Sequence, residues 1–308
     1  MKRAILIVCC VTTLITFGVA TVHGEEHREA TSLLGEPLVR PTMSDENREF
    51  HTRSLDVAQR ELDVDPEDAE AIIWLGRRTA YLGRYRDAIE IFGKGIEKHP
   101  NDPRMFRHRG HRYITIREID LAIADFTRAT ELIEGTSDEV EPDGLPNARN
   151  QPTSTLHGNI WYHLGLAHYL KGDFELALES FQKYMATAKN DDSVVAGAYW
   201  LWMILGRLGH DEDAGRVLES INDEMDVIEN QSYHRLCLMF KGDLEPDEIL
   251  GDEATPLELA TVGYGVGNWH LIGGDEEKAF GVFGDVIATD FWPAFGYVAA
   301  ESEVARRP

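Results

Sequence analysis

Residues 69–100 read AEAIIWLGRRTAYLGRYRDAIEIFGKGIEKHP, and residues 103–132 read PRMFRHRGHRYITIREIDLAIADFTRATEL. Set one above the other, they agree at a spacing of 34 residues: Gly76 with Gly110, Ala88 with Ala122, Phe92 with Phe126, and Gly95 with Ala129. A repeat of that length marks stacked helical hairpins, each too small to bury its apolar face alone. The small residues stand where two antiparallel helices come close, and the Phe fills the space between one hairpin and the next. In the second copy Leu121, Ala122, Phe126 and Ala129 fall on one stripe, as a core-facing helix requires.

With Leu75-Gly76, Tyr85, Ala88, Phe92 and Pro100 at their offsets, the first copy resembles the tetratricopeptide repeat (TPR) family over its full length. The resemblance implies an all-α fold, a right-handed α-solenoid of stacked hairpins, and a general role in binding other polypeptides.

Outward from this pair, Ser44 is a candidate N-cap, with Asp45 and Glu46 in the first turn where the helix dipole favours anions. Residues 44–66 then form a capping helix ending at Asp65-Pro66, and residues 67–133 hold units one and two. Residues 25–43, punctuated by Gly35, Pro37 and Pro41, are expected to be irregular. Between 134 and 157 the period breaks in an acidic, Pro-containing insertion. Gly165 follows Gly110 by 55 residues instead of 34. Such a stretch is either a solvated spacer or a flap over the groove.

Residues 158–290 carry units three to six. Trp161, Leu164-Gly165, Gly172-Asp173-Phe174, Ala177 and Phe181 restore the frame, whereas the fourth and fifth units are degenerate: Trp202 takes a small-residue position, and Pro246 shortens a helix. Residues 291–308 give a closing helix. This C-terminal half is similar to exported bacterial repeat adaptors of the outer-membrane lipoprotein type, although the lipid-bearing cysteine of those proteins is missing.

The formal net charge is -24, with 43% hydrophobic residues, so the chain is acidic yet able to bury a core. Such a surface repels nucleic acid and anionic lipid. Lys2 and Arg3 ahead of the apolar run from Ala4 read as an export signal over residues 1–24, placing the mature protein in the periplasm or outside the cell. An uncleaved membrane anchor is the alternative. Cys237 would then be the one mature thiol, a small buried hydrophobe unable to form an internal disulfide.

In the family, fixed positions of each first helix line the concave face. The resemblance thus implies a groove of Arg77, Tyr81, Arg104, Arg107, His111, Asn159, Tyr162, Tyr169, Tyr199 and Arg207, basic at one end and aromatic further along. A guanidinium fork holds a carboxylate by two parallel hydrogen bonds, each worth on the order of 1.5–3 kcal/mol. Arg77, Arg107 and His111 are therefore expected to hold an acidic side chain or C-terminal carboxylate of a partner peptide. Tyr162, Tyr169 and Tyr199 would add flat contact area. Alternatively the arginines pair with the chain's own Asp87, Glu90, Glu118 or Asp120.

No catalytic motif, phosphate loop or dinucleotide fingerprint is present. His108 and His111 share a helical face, but Arg107, Arg109 and Arg112 oppose a cation there, so neither metal nor cofactor is expected. The sequence points to a non-enzymatic scaffold or adaptor. The alternative is a small-molecule-binding protein or enzyme that uses the Arg/His/Tyr groove as a pocket. A closed cavity would favour that alternative, and an open channel would favour a peptide.

Overall fold

The computed structural model describes residues 28–246, 249 and 254–307. The export-signal reading lies outside these residues. Thirteen helices are described: α1 (Asp45–Val64), α2 (Ala69–Tyr81), α3 (Tyr85–Lys98), α4 (Pro103–Thr115), α5 (Ile119–Ile133), α6 (Leu156–Lys171), α7 (Phe174–Thr187), α8 (Asp191–Arg207), α9 (Asp211–Val217), α10 (Gln231–Lys241), α11 (Pro256–Ile272), α12 (Glu276–Ala288) and α13 (Phe295–Arg306). They stack as an α-solenoid in which α2/α3, α4/α5, α6/α7 and α11/α12 are full hairpins.

The hairpins form where a glycine of the first helix meets a phenylalanine of the second. A Cβ on Gly110 would lie 2.9 Å from the Phe126 ring, one on Gly165 2.6 Å from Phe181, and one on Gly267 2.5 Å from Phe283. Those phenylalanines are fully buried, so the ring cannot retreat without opening the core. Turns between paired helices need a left-handed residue, which Gly83 (φ +73°) and Gly172 (φ +86°) supply. In unit two Arg117 (φ +69°) takes that position against its preference.

The fourth unit departs from the pattern. Its second helix, α9, has seven residues, and Trp202 stacks on Phe240 of α10, with ring centroids 3.9 Å apart, instead of meeting a hairpin partner.

Residues 25–43, expected to be irregular, contain a small antiparallel hairpin of β1 (Arg28–Thr31) and β2 (Pro37–Val39). The Ser32 hydroxyl accepts N–H bonds from Leu34 and Glu36, and Gly35 takes φ +91°. Ala30 and Leu38 are buried, and the Glu29 carboxylate accepts from Arg40 at 2.8 Å and from the Arg86 backbone at 3.2 Å. Strands of four and three residues are too short to leave a periodic signal.

The closing helix does more than cover the last hairpin. α13 packs on α11 and α12 and also reaches back to α6. Its Glu301 accepts from Arg117 Nε (3.0 Å) and Nη2 (2.7 Å) and from the backbone N–H of Leu33. Arg117 Nη2 also donates to the Trp292 carbonyl, and Trp292 Nε1 donates to Val39 O at 2.9 Å. Glu303 pairs with Arg207 at 2.6 Å and Arg306 at 2.8 Å. The two ends of the described chain are thereby joined through the hollow of the solenoid.

Both Arg117 and Glu301 are almost wholly shielded, their side chains 2% and 1% exposed. Removing one partner strands a buried charge, which typically costs about 3–5 kcal/mol. Glu301→Ala should lower unfolding stability by that order in urea titration, while Glu90→Ala, removing an exposed pair with Lys94, should leave the midpoint unchanged.

Candidate functional site

α4 aims Arg107, His108, His111 and Arg112 into the hollow, and α2 contributes Arg77, Ala80 and Tyr81. Together with Phe92 and Glu141 they line a cavity of about 130 Å³. Glu141 comes from the insertion. Its Oε2 lies 3.0 Å from Arg107 Nε, both side chains being about one-tenth exposed. The Arg107 N–H does not point at that oxygen, so the contact is an ion pair and not a hydrogen bond. Asn159 Nδ2 donates to the same carboxylate oxygen at 3.1 Å.

The insertion is a strap across this cavity. Arg77 Nη2 donates to Pro142 O and Arg78 Nη1 to Gly144 O, each at 2.8 Å. The Trp74 ring supports both guanidinium groups, 4.3 and 4.8 Å from its centre. A methyl on Gly144 would run into the Tyr81 hydroxyl, so the strap backbone lies directly on that side chain. At its base, Val140 bridges Thr155, and the Glu141 N–H donates to Ser154 O. At its far end Arg149 pairs with Asp226 at 2.8 Å, and Thr153 donates to Glu229 at 2.7 Å.

The other groove residues divide into two kinds. Arg104 sits at the rim, bound to Asp102 and Glu70, both at 2.6 Å. Arg207 lies over the Phe174 ring and pairs with Glu303. Tyr162, Tyr169 and Tyr199, expected as contact surface for a partner, are instead buried. Trp200 Nε1 donates to the Tyr162 hydroxyl at 2.7 Å, Tyr264 donates to the Tyr169 hydroxyl at 2.6 Å, and Tyr199 stacks on Tyr233. Glycines let the inner helices close in: a Cβ on Gly265 would lie 2.7 Å from Leu236. The aromatic half of the expected groove is therefore core.

Of the acids considered as partners for the arginines, Asp87 pairs with Arg84, Glu90 with Lys94 and Asp120 with Lys171. Glu141 is the one that enters the cavity. Sequence reasoning missed it because the insertion has no period to place it. It also passed over Arg112 as a groove residue, although Arg112 lies 34 residues after Arg78.

A second cavity, of about 300 Å³, opens between α6, α7 and α8 and the base of the strap, with Tyr162, Tyr184, Tyr233 and Asn190 among its walls. Phe295 of α13 stands between the two spaces, against His111 on one side and His163 on the other. Nor do the described residues bring together three or more His, Cys, Asp or Glu in an arrangement able to hold a metal ion. Cys237 is fully buried, and burial pushes its thiol up.

His108 and His111 line the first cavity and His163 the second, the His111 and His163 rings 4.7 Å apart and both against Phe295. Burial, helped by the nearby guanidinium groups, holds all three well below the ordinary histidine value of 6.5. They are neutral in the folded protein. The unfolded chain takes up their protons first as pH falls, so this contribution to stability is complete above about pH 6.5 and is lost on acidification. Asp125 and Asp143, raised by burial, act in the opposite sense at lower pH. Thermal melts should therefore show Tm falling between pH 6.5 and 5.5, and His111→Gln should make that fall shallower by roughly a third.

A tetratricopeptide repeat model matches residues 149–192. Small glutamine-rich tetratricopeptide repeat-containing protein 2 of Mycosarcoma maydis is 28% identical over 121 residues, which is 39% of this chain and 28% of that protein. The match thus spans just over a quarter of the relative's length. Among solved structures, YrrB, described as a TPR protein with an unusual peptide-binding site, superposes with a TM-score of 0.44 at 15% identity, covering 76% of this chain and 93% of that one. A tetratricopeptide repeat protein from Parabacteroides merdae gives 0.46 at 15% identity, over 83% and 91%. Residues 149–192 thus carry a tetratricopeptide repeat, and the glycine-on-phenylalanine hairpins spaced along the chain repeat that packing.

Proposed function

We propose that the inner face of units one and two binds a peptide segment of a partner protein through an acidic side chain or a C-terminal carboxylate. One observation carries this reading: the site already seats an extended acidic segment in cis. Glu141 is held by Arg107, while Arg77 and Arg78 take the carbonyls of Pro142 and Gly144. A side-chain acid plus backbone carbonyls is the chemistry of a bound peptide. The role is that of a non-enzymatic adaptor, and the N-terminal Lys2-Arg3 and apolar run support its acting after export from the cytoplasm. A small-molecule reading draws on the 300 Å³ cavity, which is near the lower size of ligand pockets.

The test is fluorescence anisotropy with a labelled peptide ending in two glutamates. Arg107→Gln should weaken its binding by about tenfold or more, the loss of one charge-assisted contact. Arg84→Gln, on the outer surface, should leave the affinity unchanged. Equal binding of the peptide by the wild type and Arg107→Gln would remove the proposal, as would equal binding of a glutamine-amide version.

A further inference from the structure

The cavity holds three guanidinium groups, those of Arg77, Arg107 and Arg112, against the single carboxylate of Glu141. The histidines beside them are neutral. Arg77 is engaged by a carbonyl and Arg107 by Glu141. Arg112 has neither kind of partner among the described residues: its guanidinium sits 5.7 Å from the centre of the Tyr85 ring. Burial, with Arg107 and Arg77 adding to the effect, lowers Arg112 to about 10. Arg112 is half-buried, so its guanidinium faces the cavity without an acid yet stays within reach of an anion that arrives from outside. The free space of about 130 Å³ equals roughly four water volumes, enough for a carboxylate group.

We infer that Arg112 is the entry point of the anion site and that Glu141 is an in-chain competitor, which a partner's acids displace from Arg107. The inference rests on the carboxylate reading above and adds regulation to it. The strap is built to be displaced as a unit. Its hold on unit one consists of the Glu141 ion pair, two arginine-to-carbonyl bonds and the contact of Gly144 with Tyr81. Its base stays tied by the Val140–Thr155 bridge and its far end by Arg149–Asp226. Val140 and Leu145 are exposed rather than packed, so little apolar burial opposes the movement.

The experiment uses the same labelled diglutamate peptide with four proteins: wild type, Glu141→Gln, Gly144→Ala and Arg112→Gln. Glu141→Gln removes the competing charge. Gly144→Ala dislodges the strap from Tyr81 without changing any charge, so it stands in if the first variant folds poorly. Both should bind about threefold or more tightly than wild type, and Arg112→Gln should bind more weakly with its melting temperature retained. Hydrogen exchange should show residues 143–145, which lie over Tyr81 beyond the tied base, losing protection when the peptide is added to wild type. If wild type binds but neither strap variant binds more tightly and residues 143–145 stay protected, the competitor role is wrong and carboxylate binding stands. If none of the four binds, the carboxylate reading itself fails and this inference falls with it.

Discussion

The architecture depends on the approach of two helices at a glycine. At Gly76 and Gly110 the phenylalanine of the following helix occupies the place where a Cβ would be. That contact sets the interhelix distance within a hairpin, and repeating it at a spacing of 34 sets the stacking of one hairpin on the next. The same demand explains why Ala88, Ala122, Ala177 and Ala279 are wholly buried. Anything larger would push the hairpin apart and break the continuity of the core.

A solenoid built this way is normally open at both ends and hollow inside. Here the hollow is occupied by the chain itself. α13 turns back to α6, and the buried Arg117–Glu301 pair joins the turn of unit two to the last helix and to the N-terminal hairpin. Arg117 accepts a left-handed backbone to reach that position. Since a buried ion pair gives little net stability over an apolar replacement, its contribution is best understood as specifying which surfaces meet. Two cavities face the inner side, a basic one under the strap and a polar, tyrosine-lined one against Phe295 of the same closing helix.

How much of the site was legible follows from where its residues lie. Arg77, Arg107 and His111 sit in periodic helices at positions that the family resemblance implied for the inner face, and the structure brings all three to one cavity. Tyr162, Tyr169 and Tyr199 obey the same register yet are buried, because the inner helices of the later units pack against one another and against α13. Register gives the direction of a side chain from its helix axis, and it does not say what stands opposite. Glu141 lay beyond reach for a different reason: it belongs to an aperiodic segment, whose path is set by arginines and carbonyls far away in the chain.

From the sequence came the helical hairpins at Gly76, Gly110 and Gly165, the helix capped by Ser44 and, through the family resemblance, the basic face of units one and two. These rest on local rules: small residues at fixed spacing, caps and turn glycines act within a few residues of themselves. The closed form of the solenoid, the burial of its tyrosines and the seating of Glu141 among the arginines were decided by tertiary structure. Each involves groups many residues apart, from Arg77 with Pro142 to Arg117 with Glu301. Such contacts depend on the summed curvature of the stack, which no single repeat encodes.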